Sequence, residues 1–208
     1  MIPKEIERTT QEALQVLRSG GVILYPTDTV WGLGCDATNP EAVAKVYAIK
    51  RRSDSKSLVL LASGLDMIAR YVRQIPDMAI DLVEVNDAPM TLIYPGALTG
   101  PKPSGGESPK PDRYRLAHNV VAEDGSVGIR IPMMDWCRTL VEKFGRPLVS
   151  TSANISGENT PQKYADIAGE IKAAVDGTVD PRLEKGSTGR ASQIISLGLD
   201  GSVKIIRM

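Results

Sequence analysis

Two polar segments about a hundred residues apart, Lys50-Arg51-Arg52 and Ser150-Thr151-Ser152-Ala153-Asn154, hold the side chains best suited to chemistry in this chain. The first sets fixed positive charge just behind an amphipathic stretch. With Lys56 it gives Lys50, Arg52 and Lys56 within seven residues. Arginine offers a planar fork to two oxygens and lysine a movable point charge, so this group could offset much of a triphosphate. The plainer reading is that cations at a helix end offset its dipole and bond its last carbonyls. The second segment follows the apolar Pro147-Leu148-Val149 and continues through Ile155-Ser156-Gly157, with five hydroxyl or amide side chains in seven positions. In open α/β sheets ligands collect beyond the carboxyl ends of strands. Serine, threonine, asparagine and glycine are also ordinary where a strand enters a turn. Together the segments suggest a site for a polyanionic, polar ligand such as a nucleoside triphosphate.

Arg130 lies inside the apolar run Val127-Gly128-Ile129-Arg130-Ile131-Pro132. A buried cation needs a partner. An internal Asp or Glu would serve, as would an outward-facing position on a one-sided sheet. A ligand carboxylate also suits the guanidinium geometry. Tyr25-Pro26-Thr27-Asp28-Thr29 reads as a turn whose threonines could bond a polar ligand. No G-x-x-x-x-G-K-[ST] and no strand-borne G-x-G-x-x-G occurs, which argues against P-loop and dinucleotide sites. Ser152 lacks the G-x-S-x-G elbow. His118 is the single histidine and sits in an irregular stretch, while Cys35 and Cys137 have no metal-ligand spacing. A protein zinc site and a Cys–His nucleophile pair are both disfavoured.

The chain has 208 residues with 42% hydrophobic content, enough for one α/β domain or two small lobes with a real core. Lys+Arg and Asp+Glu are both 25, so a protein that mainly coats nucleic acid is disfavoured, although a local basic groove is not. Aromatics at 4% leave few stacking platforms for single strands. Two isolated cysteines, a charged N-terminus without a signal core and no window near the roughly 18 apolar residues of a membrane span predict a cytoplasmic protein.

Several elements must position these groups. Thr9-x-x-Glu12 reads as a capping box opening a helix, which Gly20-Gly21 ends. Val22–Tyr25 reads as a strand, and Val30–Gly34 resumes it. Asn39 caps a helix that has Pro40 in its first turn and runs to about Lys50. Further strands are expected at 58–61, 90–94, 127–131, 147–149, 192–196 and 203–207, with helices near 65–72, 77–85, 136–143 and 162–175. The expected fold class is α/β, with a twisted mixed parallel/antiparallel sheet and flanking helices. Residues 1–208 are expected to form one domain, with no linker or internal repeat. The Pro/Gly-rich stretch 95–126 reads as a mobile cover over the site or as a disordered loop.

In this order, Tyr25–Gly34, Lys50-x-Arg52, Gly128-Ile129-Arg130-Ile131-Pro132 and Ser150–Gly157 resemble the YrdC-like family, whose active members are TsaC-type threonylcarbamoyl-AMP synthases. The likeness covers nearly the whole chain, and the ordered set is highly specific. It implies a large open, positively lined groove. It also implies a nucleotidyltransferase that joins L-threonine, bicarbonate and ATP into threonylcarbamoyl-AMP and releases pyrophosphate. Other proteins would then move the threonylcarbamoyl group onto tRNA. By this resemblance Lys50 and Arg52 are the catalytic pair. Arg52, Lys56, Ser126, Asn154 and Arg207 match ATP-binding positions, and Thr29, Arg130, Ser152 and Ser192 match threonine-binding positions. Mg²⁺ is expected on the phosphates, held mainly by substrate oxygens and water. The sequence departs from the family at Asn86-Asp87-Ala88-Pro89 before Thr91, where Pro-Gly-Pro is usual. It departs again in the longer 95–126 stretch and at Ala191-Ser192-Gln193. Ending at Met208, the chain is expected to lack the further domain of the longer members. The alternatives are a non-catalytic relative that binds RNA or a nucleotide, and a carbamoyl-transfer domain of the hydrogenase-maturation type. Loss of the Lys-x-Arg or Ser-x-Asn pairs would mark the first, and both pairs are present.

Overall fold

The computed structural model describes residues 4–52, 58–100 and 114–208. Helix α1 spans Lys4–Arg18 and buries Ala13, Leu14 and Leu17. It opens five residues earlier than the expected capping box at Thr9, with Glu5 and Glu7 in its first turn, where the helix dipole favours negative charge. Thr9 and Thr10 instead tie the helix to its neighbours. Thr9 Oγ1 accepts from the Asp180 amide at 3.1 Å, and Thr10 Oγ1 accepts from Trp136 Nε1 at 2.9 Å.

Strands β1 (Ile23–Pro26) and β2 (Trp31–Gly34) form an antiparallel hairpin in which Pro26 faces Trp31. Its tip is Thr27-Asp28-Thr29-Val30. Helix α2 (Pro40–Lys50) begins as expected, with Asn39 Oδ1 accepting from the Glu41 and Ala42 amides at 3.0 and 3.3 Å. Then follow β3 (Val59–Leu61), α3 (Leu65–Ile68), α4 (Asp77–Val85), β4 (Met90–Tyr94), β5 (Val127–Arg130), α5 (Asp135–Phe144) and β6 (Leu148–Ser152). The chain continues through α6 (Gly169–Ala174), β7 (Gly177–Thr178), β8 (Gln193–Leu197) and β9 (Val203–Arg207).

Two helices are shorter than their patterns predict. The helix expected to reach residue 72 stops at Ile68. The one expected over 162–175 divides into a 3-10 turn at Tyr164–Asp166 and α6, because Ile167 adopts an extended backbone and turns into the core.

The strands lie in the order β7-β1-β2-β6-β3-β5-β4-β8-β9, with β1–β7, β3–β5 and β4–β8 parallel and the other pairs antiparallel. This is the mixed sheet the pattern predicts. Strand β6 is its pivot: Gly32 and Leu33 of β2 pair with Ser152 and Thr151, while Val59 of β3 pairs with Ser150. The polar end of β6 is thereby wedged between two strands. Along β5 side chains alternate, so Val127 and Ile129 enter one apolar layer while Arg130 emerges on the other face.

Much of the 95–126 stretch, residues 101–113, lies outside the described residues, and with it the reading as a cover. Its described flanks are packed. Leu116 donates its amide to Leu98 at 2.8 Å, and Leu116 and Val120 are fully buried.

Candidate active site

The end of β6 and the tip of the β1–β2 hairpin open onto a cavity of about 280 Å³. Arg52, Arg130 and Arg207 line it together with the hydroxyls of Thr27, Thr29, Ser150, Thr151, Ser152, Thr160 and Ser192. No acidic side chain is among these lining residues. A larger cavity of about 380 Å³ has walls formed by Leu92, Ile129 and Ile131, with Asn86, Asp135 and Arg138 beside them. It offers no comparable gathering of cations and hydroxyls. Of these two, the first cavity has the means to hold a polyanion beside a small polar molecule.

The structure brings six expected residues to this cavity: Thr29, Arg52, Arg130, Ser152, Ser192 and Arg207. Arg52 arrives by a distinctive turn. Helix α2 ends in a Schellman arrangement, with the Arg52 amide bonded to the Tyr47 carbonyl at 3.0 Å and the Arg51 amide to the Ala48 carbonyl at 3.1 Å. Arg51 takes the left-handed conformation at φ 49°, so the chain reverses between Lys50 and Arg52.

Lys50 and Asn154 are not lining residues; they stand behind the cavity. Lys50 is buried and its Nζ donates to the Ser152 carbonyl at 2.6 Å, the Asn154 carbonyl at 2.7 Å and Asn154 Oδ1 at 3.1 Å. Burial, and then the charge on Arg52, push the Lys50 amine down to about 8. Asn154 Oδ1 also accepts from Ser152 Oγ at 2.6 Å, and its Nδ2 donates to the Glu158 carbonyl at 2.6 Å. These side chains therefore fix the shape of the β6 exit.

Ser126 stands in the turn before β5, its amide bonded to Asp124 Oδ1 at 2.9 Å, and it does not line the cavity. Lys56 lies outside the described residues.

Arg130 meets its internal partner. Its Nη1 donates to Asp28 Oδ1 at 2.5 Å and to Thr29 Oγ1 at 3.0 Å. The internal acid raised by the sequence is present, and the same guanidinium also lines the cavity. Arg207 reaches from β9 to the Ser192 carbonyl through Nε at 3.0 Å and Nη2 at 2.8 Å. Ser192 Oγ lies 2.8 Å from Thr91 Oγ1, which links β4 to the start of β8.

Some functional groups were missed in the sequence. Thr160, Gly189 and Ala191 line the cavity from a long segment after β6. That segment is held by amide bonds from Thr188 to the Asp28 carbonyl (2.9 Å) and from Gly189 to the Thr29 carbonyl (2.8 Å). Glu184 clamps it further, accepting from Trp31 Nε1 at 2.7 Å and from the Tyr164 amide at 2.9 Å. None of these contacts has a local motif. Burial raises the thiols of both cysteines, that of Cys137 to about 12, so neither is prepared as a nucleophile.

Known proteins share this arrangement of strands and segments. The family model Sua5/YciO/YrdC, described as telomere recombination, matches residues 15–208. A threonylcarbamoyl-AMP synthase of Pseudoalteromonas translucida is 33% identical over 177 residues, covering 85% of this chain and 88% of that protein. Among solved structures, P. abyssi Sua5 complexed with L-threonine aligns with a TM-score of 0.70 at 24% identity, covering 90% of this chain and 50% of that one. This chain thus spans about half the length of that Sua5. E. coli YciO aligns with a TM-score of 0.70 at 24% identity, covering 97% of this chain and 89% of that one. These two likenesses concern the fold. The matched residues 15–208 contain every lining residue of the arginine-and-hydroxyl cavity, and the chain belongs to the Sua5/YciO/YrdC family.

Proposed function

We propose that this protein is a threonylcarbamoyl-AMP synthase. The observation that carries the reading is the convergence of Arg52, Arg130 and Arg207 with seven hydroxyl side chains on one cavity, with no acidic side chain among its described lining residues. Relatives that are 33% identical over most of their length bear that name. L-threonine, bicarbonate and ATP would be the substrates. The amine of threonine forms a carbamate with the carbon of bicarbonate, releasing water. A carbamate oxygen then attacks the α-phosphorus of ATP, and pyrophosphate leaves. Such transfers depend mainly on positioning and charge stabilisation, which suits a site of arginines and hydroxyls.

In this reading Arg130 takes the amino-acid carboxylate, with Thr29, Ser152 and Ser192 around the rest of the amino acid. Arg52 and Arg207 face the phosphates, and Lys56 and Ser126 are further nucleotide-binding residues. Lys50 and Asn154 hold the β6 exit in shape. Mg²⁺ would contribute charge neutralisation on the phosphates. The chain's donor set fits a metal held through substrate oxygens and water, since the polar groups of the described lining residues are hydroxyls and guanidiniums, with no carboxylate among them. The product would pass to tRNA-modification proteins in the cytoplasm, in keeping with the absence, among the described residues, of a helix long and apolar enough to cross a membrane.

Incubation with all three substrates, each omitted in turn, tests the reading. Pyrophosphate release should require L-threonine and bicarbonate together. Arg52→Ala should lower the rate at limiting ATP by ~10- to 100-fold, the loss of a charge-assisted phosphate contact. ATP turnover indifferent to threonine, or tight duplex RNA binding without turnover, would replace this reading with that of a binding protein.

A further inference from the structure

Asp28 is a buried carboxylate at the hairpin tip, and both of its oxygens are committed. Oδ1 accepts from Arg130 Nη1 at 2.5 Å, and Oδ2 accepts from the Met133 amide at 3.1 Å. The second bond stops the carboxylate from rotating. Thr29 Oγ1 takes a further Nη1 contact at 3.0 Å. One corner of the guanidinium is therefore fully used by the protein.

The opposite edge is not. Arg130 Nε finds no hydrogen-bond partner among the described residues, and Nη2 has only a long contact to Thr27 Oγ1 at 3.4 Å. Arg130 is 4% exposed, so an unpartnered donor there is costly unless a ligand satisfies it. Nε and Nη2 form the edge of a guanidinium that matches a carboxylate with two parallel bonds. Arg130 also lines the cavity.

We propose that Asp28 is a positioning residue for the amino-acid substrate: it fixes Arg130 by Nη1, so that the Nε–Nη2 edge is presented to the substrate carboxylate. This rests on the reading that Arg130 binds that carboxylate. Asp28 does not touch the substrate. It offsets the buried charge beforehand and sets which edge of the fork is offered. Its effect falls on carboxylate-bearing ligands, and it leaves the nucleotide side unchanged.

Calorimetric titration of the whole protein separates the possibilities. The probes are L-threonine, ATP and 1-aminopropan-2-ol, which is the threonine skeleton without its carboxylate. Asp28→Asn should weaken L-threonine by ~10-fold or more, the scale of one charge-assisted contact, and should leave ATP within about twofold. Binding of the amino alcohol should not change. Asp28→Glu keeps the ion pair but moves the carboxylate by one methylene, so it protects the fold while still displacing the fork, and L-threonine should weaken there too. Unchanged or tighter L-threonine binding in Asp28→Asn overturns the proposal. So does wild-type affinity in Asp28→Glu, or an equal loss for all three probes. Arg130→Lys tests the underlying reading separately. If Arg130→Lys leaves L-threonine affinity unchanged, the carboxylate does not sit on Arg130 at all. If Arg130→Lys weakens L-threonine but neither Asp28 variant does, that reading stands and only the role of Asp28 is lost.

Discussion

Lys50 Nζ lies 2.7 Å from the backbone oxygen of Asn154, a residue 104 positions further along the chain. The Ser156 amide returns the contact by donating to the Lys50 carbonyl at 3.0 Å. The end of α2 and the exit of β6 are thus stitched together in both directions. The two segments that stand out in the sequence meet as one structural unit, with Lys50 inside it and Arg52 facing the cavity.

Lys50→Met should loosen that unit. Removing the amine takes the donor from the Asn154 carbonyl and leaves the Ser152 carbonyl with only the Asn154 amide at 2.9 Å, at a cost of ~1–3 kcal/mol for the buried acceptor that stays unsatisfied. Urea unfolding at pH 7 should show the loss, and synthase turnover should fall with it.

The same lysine should give the stability a pH dependence of definite sign. Its amine lies at about 8 in the folded chain instead of the ordinary 10.5, because of burial and then Arg52. Above about 8 the folded chain has released a proton that the unfolded chain keeps until about 10.5, so the unfolded state binds more protons across that window. Stability contributed through Lys50 therefore rises between these two pH values. Unfolding free energies of wild type minus Lys50→Met should increase from pH 8 to 10. A flat or falling difference contradicts the burial of this amine.

Arg51 is the one non-glycine residue with positive φ among the described residues, at 49°. Its strain, ~1–2 kcal/mol for an L residue in that region, is spent in turning Lys50 inward and Arg52 toward the cavity. Arg51→Gly should relieve it. The gain is partly offset by the freer unfolded chain and by loss of the exposed 2.6 Å pair with Glu170, leaving ~0.5 kcal/mol of net stabilisation. The urea midpoint checks this, and ATP affinity should stay near wild type.

How legible all this was depends on whether a residue's role is local. Asn39 and Pro40 announce the start of α2 because a cap bonds amides two and three residues on. Thr9 carries the same kind of signal and misleads, since its hydroxyl serves Asp180, 171 positions away. Arg130 showed that a buried cation needs a partner, and its place in an apolar strand was enough for that. That the partner is Asp28 could not be read, because the bond spans 102 positions and Asp28 looks like an ordinary turn residue. Arg207 entered only through family resemblance, since an arginine in an edge strand has no local mark. Thr160 and Gly189 reach the cavity through the fold of a long irregular segment, where no periodicity operates.

Glu184→Gln should loosen that segment. The glutamate oxygen serves both Trp31 Nε1 and the Tyr164 amide, and the Trp31 and Tyr164 rings lie 5.1 Å apart. A neutral amide there weakens two charge-assisted bonds, at ~1–3 kcal/mol. Because the same segment supplies Thr160 and Gly189, the KM for L-threonine should rise more than kcat falls. Trp31 fluorescence should report the altered indole contact.

The most direct test of the central claim is a crystal structure with L-threonine and a non-hydrolysable ATP analogue bound together. The account predicts the amino-acid carboxylate on Arg130 between the 27–29 tip and Ser192, with the triphosphate against Arg52 and Arg207. Both ligands located elsewhere, or a triphosphate covering Arg130 with the amino acid outside this cavity, would contradict it.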